Sequence, residues 1–228
     1  YRADIASANG SVLATVMDAE GNLYVGGSFT SIGGISANRV AKWVRSSGRW
    51  QTLSSGTNNT VRALALAPDG TLYAGGDFTS AGAVFANYVA RWTGGTWSVL
   101  GVGTNGTNGK VNALAVSATG TLYAGGEFTA AGGATAYMVA RWDGSSWAAL
   151  GAGIDGPVYA LAVDWNGDLY AGGAFFHAGG NPADNIAKWN GTAWSHVAWY
   201  AEYINPQDPG MGIAYELFGT SGPVYALA

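Results

Sequence analysis

Two short elements, Leu-Tyr-x-Gly-Gly and Ala-cation-Trp, recur four times along this chain in the same order. The first begins at Leu23, Leu72, Leu122 and Leu169, in steps of 49, 50 and 47 residues. The second (Ala41-Lys42-Trp43, Ala90-Arg91-Trp92, Ala140-Arg141-Trp142, Ala187-Lys188-Trp189) keeps the same steps. A period in this range marks a propeller or solenoid, in which each unit covers its apolar face with a neighbour. The 228 residues therefore read as one array rather than as two unrelated domains.

The clearest copy, Val61 to Gly101, resolves into four strand-like stretches separated by turn signals. Val61–Leu66 alternates, with Val61, Ala63 and Ala65 on one face, and its small residues suit the crowded innermost position. Pro68-Asp69-Gly70 makes a hairpin turn, where Gly supplies the positive φ. The second strand covers Thr71–Phe78, and its Gly75-Gly76 pair implies close approach of a neighbouring backbone or aromatic ring. A Phe-Thr-x-x-Gly-Gly-type loop leads to a third strand, Tyr88–Trp92, and a turn at Gly94-Gly95 to a fourth, Thr96–Leu100. Four antiparallel strands in about 48 residues make one propeller blade. The fold class expected is all-β, a β-propeller of four full repeats with partial blades at both ends.

The repeats run over 12–60, 61–110, 111–157 and 158–223, with 1–11 ending a preceding blade and 224–228 starting a following one. Aligning Val12 with Val61 sets Tyr1 opposite Trp50, so the chain opens on a fourth strand and closes on a first. Those leftovers are not neighbours within a blade. A window from a longer array is the expected reading, and an open ring completed by another chain is the alternative.

Composition removes several function classes. Charged residues are 11% and the net charge is −4, with no basic run to neutralise a phosphate backbone, so nucleic acid is not an expected partner. Cys is absent, which excludes disulfides, thiolate metal sites and thiol nucleophiles. No apolar run reaches the ~18 residues of a membrane span. Gly stands at 37 residues, roughly twice ordinary usage. Beside 48% hydrophobic and 13% aromatic residues, that abundance signals tight turns rather than disorder.

The repeat also absorbs residues that would otherwise pass for sites. The pairs Trp43/Trp50, Trp92/Trp97, Trp142/Trp147 and Trp189/Trp194 recur in every unit, and a regular row of aromatics reads as inter-blade packing before sugar stacking. The cations Lys42, Arg91, Arg141 and Lys188 are expected to pair with Asp77 or Glu127, or to lie over a Trp face, rather than to bind an anion. Asp77 and Glu127 themselves, at positions where other units carry Ser28 and Ala174, read as surface variation. Asp164-x-Asn166-x-Asp168 has the opening of a calcium loop but lacks its remaining ligands, and it aligns with plain hairpin turns. His177 and His196, without Cys, are a weak metal signal. No cofactor, metal site or catalytic residue is expected, and the chain is not expected to be an enzyme. The Asn-x-Ser/Thr triplets at Asn9, Asn58, Asn105 and Asn190 read first as turn residues.

The repeat breaks in one place. First strands start at Val12, Val61, Val111, Val158 and Val224, so the fourth gap, 66 residues, is the long one. Residues 198–223 hold the insertion, on the face where fourth-to-first and second-to-third connections meet, and loops on one face of a rigid scaffold commonly carry binding. Phe176, His177, Trp199, Tyr200, Tyr203 and Tyr215 are the candidate ligand-binding residues, as an aromatic-plus-carboxylate surface suited to sugar or peptide. The plainer alternative is that the insertion packs onto the propeller or a neighbouring domain.

Between Ser11 and Val197, the text LYAGGxFTxAGG followed by VARWdGxxWxxLGxG resembles kelch-like propeller repeats of bacterial surface proteins. It is similar also to fungal cortical polarity-marker proteins and to the central domain of galactose oxidase. The resemblance implies an extracellular or cell-surface propeller. It carries over no activity, because the galactose-oxidase site needs a Tyr–Cys crosslink and this chain has no Cys. The function expected is a non-catalytic scaffold, adhesion or assembly module whose partners are other domains or subunits of a surface assembly. The alternative is a lectin-type propeller that binds glycans through aromatic loops.

Overall fold

The computed structural model describes residues 7–101, 105–204, 212–218 and 220–227, and along 198–204 and 212–218 it describes the backbone alone. Among the described residues every regular element is a strand. Four sheets follow one another along the chain, each of four antiparallel strands in sequence order. The first comprises Val12–Met17, Leu23–Gly27, Val40–Val44 and Arg49–Thr52. The second comprises Val61–Leu66, Leu72–Gly76, Val89–Thr93 and Thr96–Ser98. The third is Val111–Val116, Leu122–Gly126, Val139–Trp142 and Trp147–Ala149, and the fourth Val158–Val163, Leu169–Gly173, Ile186–Trp189 and Trp194–His196. Between second and third strands each sheet adds a two-residue ladder, such as Ser80–Ala81 with Val84–Phe85, which the sequence pattern had hidden inside a loop.

The Gly-Gly pair joins the sheets into an array, and its two members do different work. The first glycine faces the next unit: a Cβ on Gly75 would sit 2.6 Å from Val111 Cγ1, and on Gly125 2.5 Å from Val158 Cγ1. The second lies against its own unit, where a Cβ on Gly76 would strike the Thr60 carbonyl. The register of the inner pair shifts between Val61 and Ala63, opposite Gly76 and Gly75. The close backbone approach expected from sequence is thus present, while the expected aromatic ring is replaced by Val111 and Leu114. Val224 and Leu227 lie against Gly172 in the same manner, and the Val224 amide donates to the Gly173 carbonyl at 2.9 Å.

Indole rings make the second inter-sheet contact. Trp92 and Trp97 face each other across neighbouring strands with ring centroids 5.3 Å apart, and the other three pairs lie at 5.4–5.6 Å. Trp97 Nε1 donates to the Leu53 carbonyl of the preceding sheet at 2.9 Å. Trp147 reaches Leu100 at 3.2 Å, and Trp194 reaches Leu150 at 2.8 Å. Loop glycines make room for these rings: a Cβ on Gly82, Gly132 or Gly179 would lie 3.0–3.1 Å from the indole. Beneath the loops Phe29, Phe78, Phe128 and Phe175 are fully enclosed.

The repeated cations find partners other than those expected. Lys42 pairs with Asp18 at 3.4 Å and sits 4.8 Å above the Tyr24 ring, its cross-strand neighbour. Lys188 pairs with Asp168, 2.6 Å away, and lies over Tyr170. Arg91 Nε donates to Ser98 Oγ. Tyr rather than Trp takes the cation because cross-strand register sets Tyr beside it, whereas the Trp rings turn to each other. The Asp164 turn closes on itself, with Oδ1 accepting from the Asn166 and Asp168 amides.

Replacing Gly75 by Ala is expected to destabilise the chain by about 1–3 kcal/mol through overpacking against Val111. Gly70→Ala meets open space and is strained only by its φ of +84°, so it should cost about 1 kcal/mol. Urea unfolding of the two variants checks the order.

Candidate functional site

One edge of the array carries both the fourth-to-first connections and the second-to-third loops, and side-chain clamps tie them together. Asn58 Oδ1 accepts from the Thr79 and Ser80 amides at 2.9 and 3.0 Å, while its Nδ2 donates to Thr79 Oγ1 at 3.0 Å. Asn9 holds Thr30 and Ser31 likewise, and Asn108 holds Thr129 and Ala130. An amide side chain serves because it both accepts from backbone and donates to a hydroxyl. Two of the Asn-x-Ser/Thr asparagines, Asn9 and Asn58, are committed to this clamp.

The fourth unit rebuilds the clamp from other residues. Asp155 Oδ1 accepts from the Phe176 and His177 amides at 2.9 Å each, and Oδ2 lies 2.7 Å from His177 Nδ1. Phe176 stands where the others have Thr, so the donor half of an Asn would have no partner there; Asp with His removes that mismatch. Burial pushes the Asp155 carboxyl up, but the His177 amide, the imidazole and the Phe176 amide more than offset this and hold it below the ordinary carboxylate range. A carboxylate only accepts, so in this hydrogen bond Nδ1 of His177 is the donor.

Phe176 is 70% exposed, and His177 begins the short ladder His177–Ala178 with Asn181–Pro182. The structure therefore places both residues on the loop edge, as expected. Trp199, Tyr200, Tyr203 and Tyr215 belong to the insertion, which forms a two-stranded ribbon, Ala198–Ile204 with Gly212–Phe218. Its register sets Trp199 opposite Leu217, Tyr200 opposite Glu216, Ala201 opposite Tyr215 and Tyr203 opposite Ile213. The side chains of these four candidates lie outside the described residues. The chain returns from the ribbon to the same loop edge, where the Thr220 amide donates to the Asp184 carbonyl at 2.8 Å and Asn185 Nδ2 donates to the Thr220 carbonyl.

Beside the Asp155–His177 pair lies a groove of about 430 Å³ between the third and fourth sheets, with Tyr137, Met138 and Ile154 on its walls. None of these three was singled out from sequence. Met138 has φ +61°, as its counterparts Arg39, Tyr88 and Asn185 have +66°, +64° and +72°. Each of these amides donates to the enclosed Phe at 2.8 Å, which holds four different non-glycine residues in the left-handed region. Nothing in residue type announces that conformation. The signal that could have found the groove is comparison of the copies: Asn38 and Asn87 become Tyr137, and Thr57 and Thr107 become Ile154.

A second cavity, about 570 Å³, is lined by the second residues of the innermost strands, Leu13, Arg62, Asn112 and Tyr159, with Tyr225 and Glu127. Arg62 Nε donates to Asp77 at 2.7 Å, Lys110 pairs with Glu127 at 3.2 Å, and Tyr159 stacks on Tyr225 with centroids 5.1 Å apart. Asp77 and Glu127 are thus ion-pair partners of Arg62 and Lys110, and Glu127 also lines this cavity. Sequence reasoning missed the pairing because Arg62 and Asp77 meet only when the first two strands of a blade are registered.

A family model described as a β-propeller domain of unknown function (DUF5122) matches residues 19–42 and 67–93. The extracellular domain of a putative hybrid two component system, BT4673, from B. thetaiotaomicron superposes with a TM-score of 0.55 at 14% identity, over 95% of this chain and 24% of that one. The WD40 repeats of RRP9 superpose at 0.54 and 14% identity, over 96% and 55%. The chain is a β-propeller. It spans between about a quarter and about half of these solved chains, and at such identity the likeness is one of fold. No curated protein matches the sequence. Among the described residues no helix is long and apolar enough to cross a membrane.

Asp155 lends the fourth clamp a pH dependence that the asparagine clamps lack. Because its carboxyl is held below the ordinary range, its contribution is complete above that range and is lost as pH falls through the lowered value. Hydrogen-exchange protection of the Phe176 and His177 amides is expected to drop as acidification passes below the ordinary carboxylate range and protonates Asp155. Protection of Thr79 and Ser80, held by Asn58, should persist under the same conditions.

Proposed function

We propose that this β-propeller is a non-catalytic interaction module of an extracellular or cell-surface protein, serving as a scaffold, adhesion or assembly element. The observation that carries this reading is a set of exposed aromatic side chains on the loop edge. Phe85, Tyr137 and Phe176 are 84%, 48% and 70% exposed there, and Tyr137 lines the groove. Large aromatics left in water on one edge of a rigid frame are a common mark of protein recognition.

A place outside the cell is supported by the kelch-like character of the repeat and by solved neighbours described as extracellular domains. The non-catalytic reading is supported by the carboxylates. Asp18 is pushed up by burial but drawn below the ordinary value by Asn22 and Lys42, and the amides of Ser146 and Ser145 hold Asp143 low. Groups kept charged in this way suit structural clamps, whereas a general acid is tuned upward. The second reading, glycan binding, is favoured by the adjacency of Phe176 and Tyr137 to the hydrogen-bonding pair Asp155 and His177.

Protease treatment of intact cells producing the native protein tests the location. Loss of the propeller epitope from unbroken cells is expected, and full protection until lysis would contradict the proposal. Surface-coupled propeller should retain other surface proteins and lose them when Phe176 and Tyr137 are both changed to Thr and Asn. Retention of deproteinised glycans instead would favour the second reading.

A further inference from the structure

In each of the four Leu-Tyr-x-Gly-Gly strands, the first glycine leaves a hollow that a valine further along the chain fills. Val61 fills the hollow at Gly26, Val111 that at Gly75, Val158 that at Gly125 and Val224 that at Gly172. Val12 is the valine left over. It is 43% exposed, whereas Val61, Val111 and Val158 are fully buried. Its sheet has the register shift that sets the other three, here between Val12 and Ala14.

The rest of that sheet face carries the same deficit. Leu23 is half-buried, whereas Leu72, Leu122 and Leu169 are at most 1% exposed. Met17, aligned with the partly buried Leu66, Val116 and Val163, is 63% exposed. Trp50 is half-buried where Trp97, Trp147 and Trp194 are buried, and its enclosed Nε1 has no acceptor among the described residues. In the three counterparts that nitrogen donates to a Leu carbonyl of the preceding sheet. An enclosed donor left in this state is costly, so an acceptor at that point is strongly favoured. Thr15 replaces Leu64, Leu114 and Leu161, which shortens one filler of the hollow. The valine is what makes glycine necessary, its Cγ1 lying 2.5–2.6 Å from where a Cβ would stand.

The three internal junctions show what covers such a face, and so define the chemistry of its occupant. It offers a second strand with a glycine opposite Val12, and after its fourth strand a carbonyl for Trp50 Nε1. A second copy of this chain cannot supply that hollow, because its own four are filled. We propose that the open face of the first sheet seats a further blade of this repeat, outside these four, its Gly-Gly strand against Val12 and a carbonyl on Trp50 Nε1. The contact would continue the three junctions already present, and it is independent of the reading as an interaction module.

The chain has no Cys, so single cysteines report burial directly. Val12→Cys and, separately, Val61→Cys are labelled with a water-soluble maleimide in the purified 228-residue chain and in the native protein from its own cells. Position 12 is expected to react about a hundredfold more slowly in the native protein, because an enclosed thiol reacts only through local opening. Position 61 should be slow in both. Photo-methionine incorporated into the native protein identifies the cover. Activation is expected to join position 17 to a peptide with a Leu-Tyr-x-Gly-Gly strand outside these 228 residues. In the purified chain, a copy of residues 61–110 placed directly before Val12 supplies such a blade in phase. It should slow exchange of the Trp50 indole proton, and the same copy bearing Gly75→Val should not. Equal labelling of position 12 in native and purified protein would overturn the proposal. So would a cross-link from position 17 to a second copy or to a peptide without that strand, or a Trp50 proton that the added blade leaves unprotected.

Discussion

Three indole N–H groups, those of Trp97, Trp147 and Trp194, each cross to a Leu carbonyl of the preceding blade, and the arrangement of the blades follows from those bonds. A buried indole nitrogen without an acceptor is costly, whereas one that is satisfied contributes about 1 kcal/mol net and fixes direction as well. The ring must lie flat against the neighbouring loop, which excludes a side chain at Gly82, Gly132 and Gly179. On the inner side Val111 and Val158 press into the hollows left by Gly75 and Gly125. One contact holds the outer hairpin and the other the inner strand of each blade against its neighbour.

With the blades locked, the loop edge becomes a row of equivalent junctions in which residues change without altering the frame. Asn9, Asn58 and Asn108 show the plain solution: an amide side chain that satisfies two backbone amides and one threonine. Asp155 keeps the backbone half of that clamp and exchanges the threonine for His177. Beside it the Ile154 amide still donates to the Tyr137 carbonyl, as the Thr57 and Thr107 amides donate to Asn38 and Asn87, so the backbone closure of the junction is kept while its side chains change. The side chains of this junction thus change by local substitution within an unchanged scaffold, with the left-handed backbone at Met138 inherited from the repeat.

Much of the fold was legible in the sequence because a period of 47 to 50 residues leaves few architectures. The tryptophan pairs were readable as packing from their regularity. What regularity could not tell was direction: nothing in the text says that Trp97 reaches back to Leu53 rather than forward. The Arg62–Asp77 and Lys110–Glu127 pairs were missed for a related reason, since they depend on strand register rather than sequence proximity. At the candidate site, Phe176 and His177 stood out by composition. Asp155 did not, because an Asp in place of an Asn looks conservative until its hydrogen bonds are known. Tyr137 and Ile154 carry no motif at all and gain meaning only from what their counterparts do.

The dependence of the array on its indole bonds is tested most directly by hydrogen exchange at the tryptophan side chains. If those bonds hold the blades, the indole protons of Trp97, Trp147 and Trp194 will exchange only through global unfolding. Trp165, at 93% exposure, will exchange at the rate of a free indole. Rapid exchange of the three at the Trp165 rate, with strand amides still protected, would contradict the account.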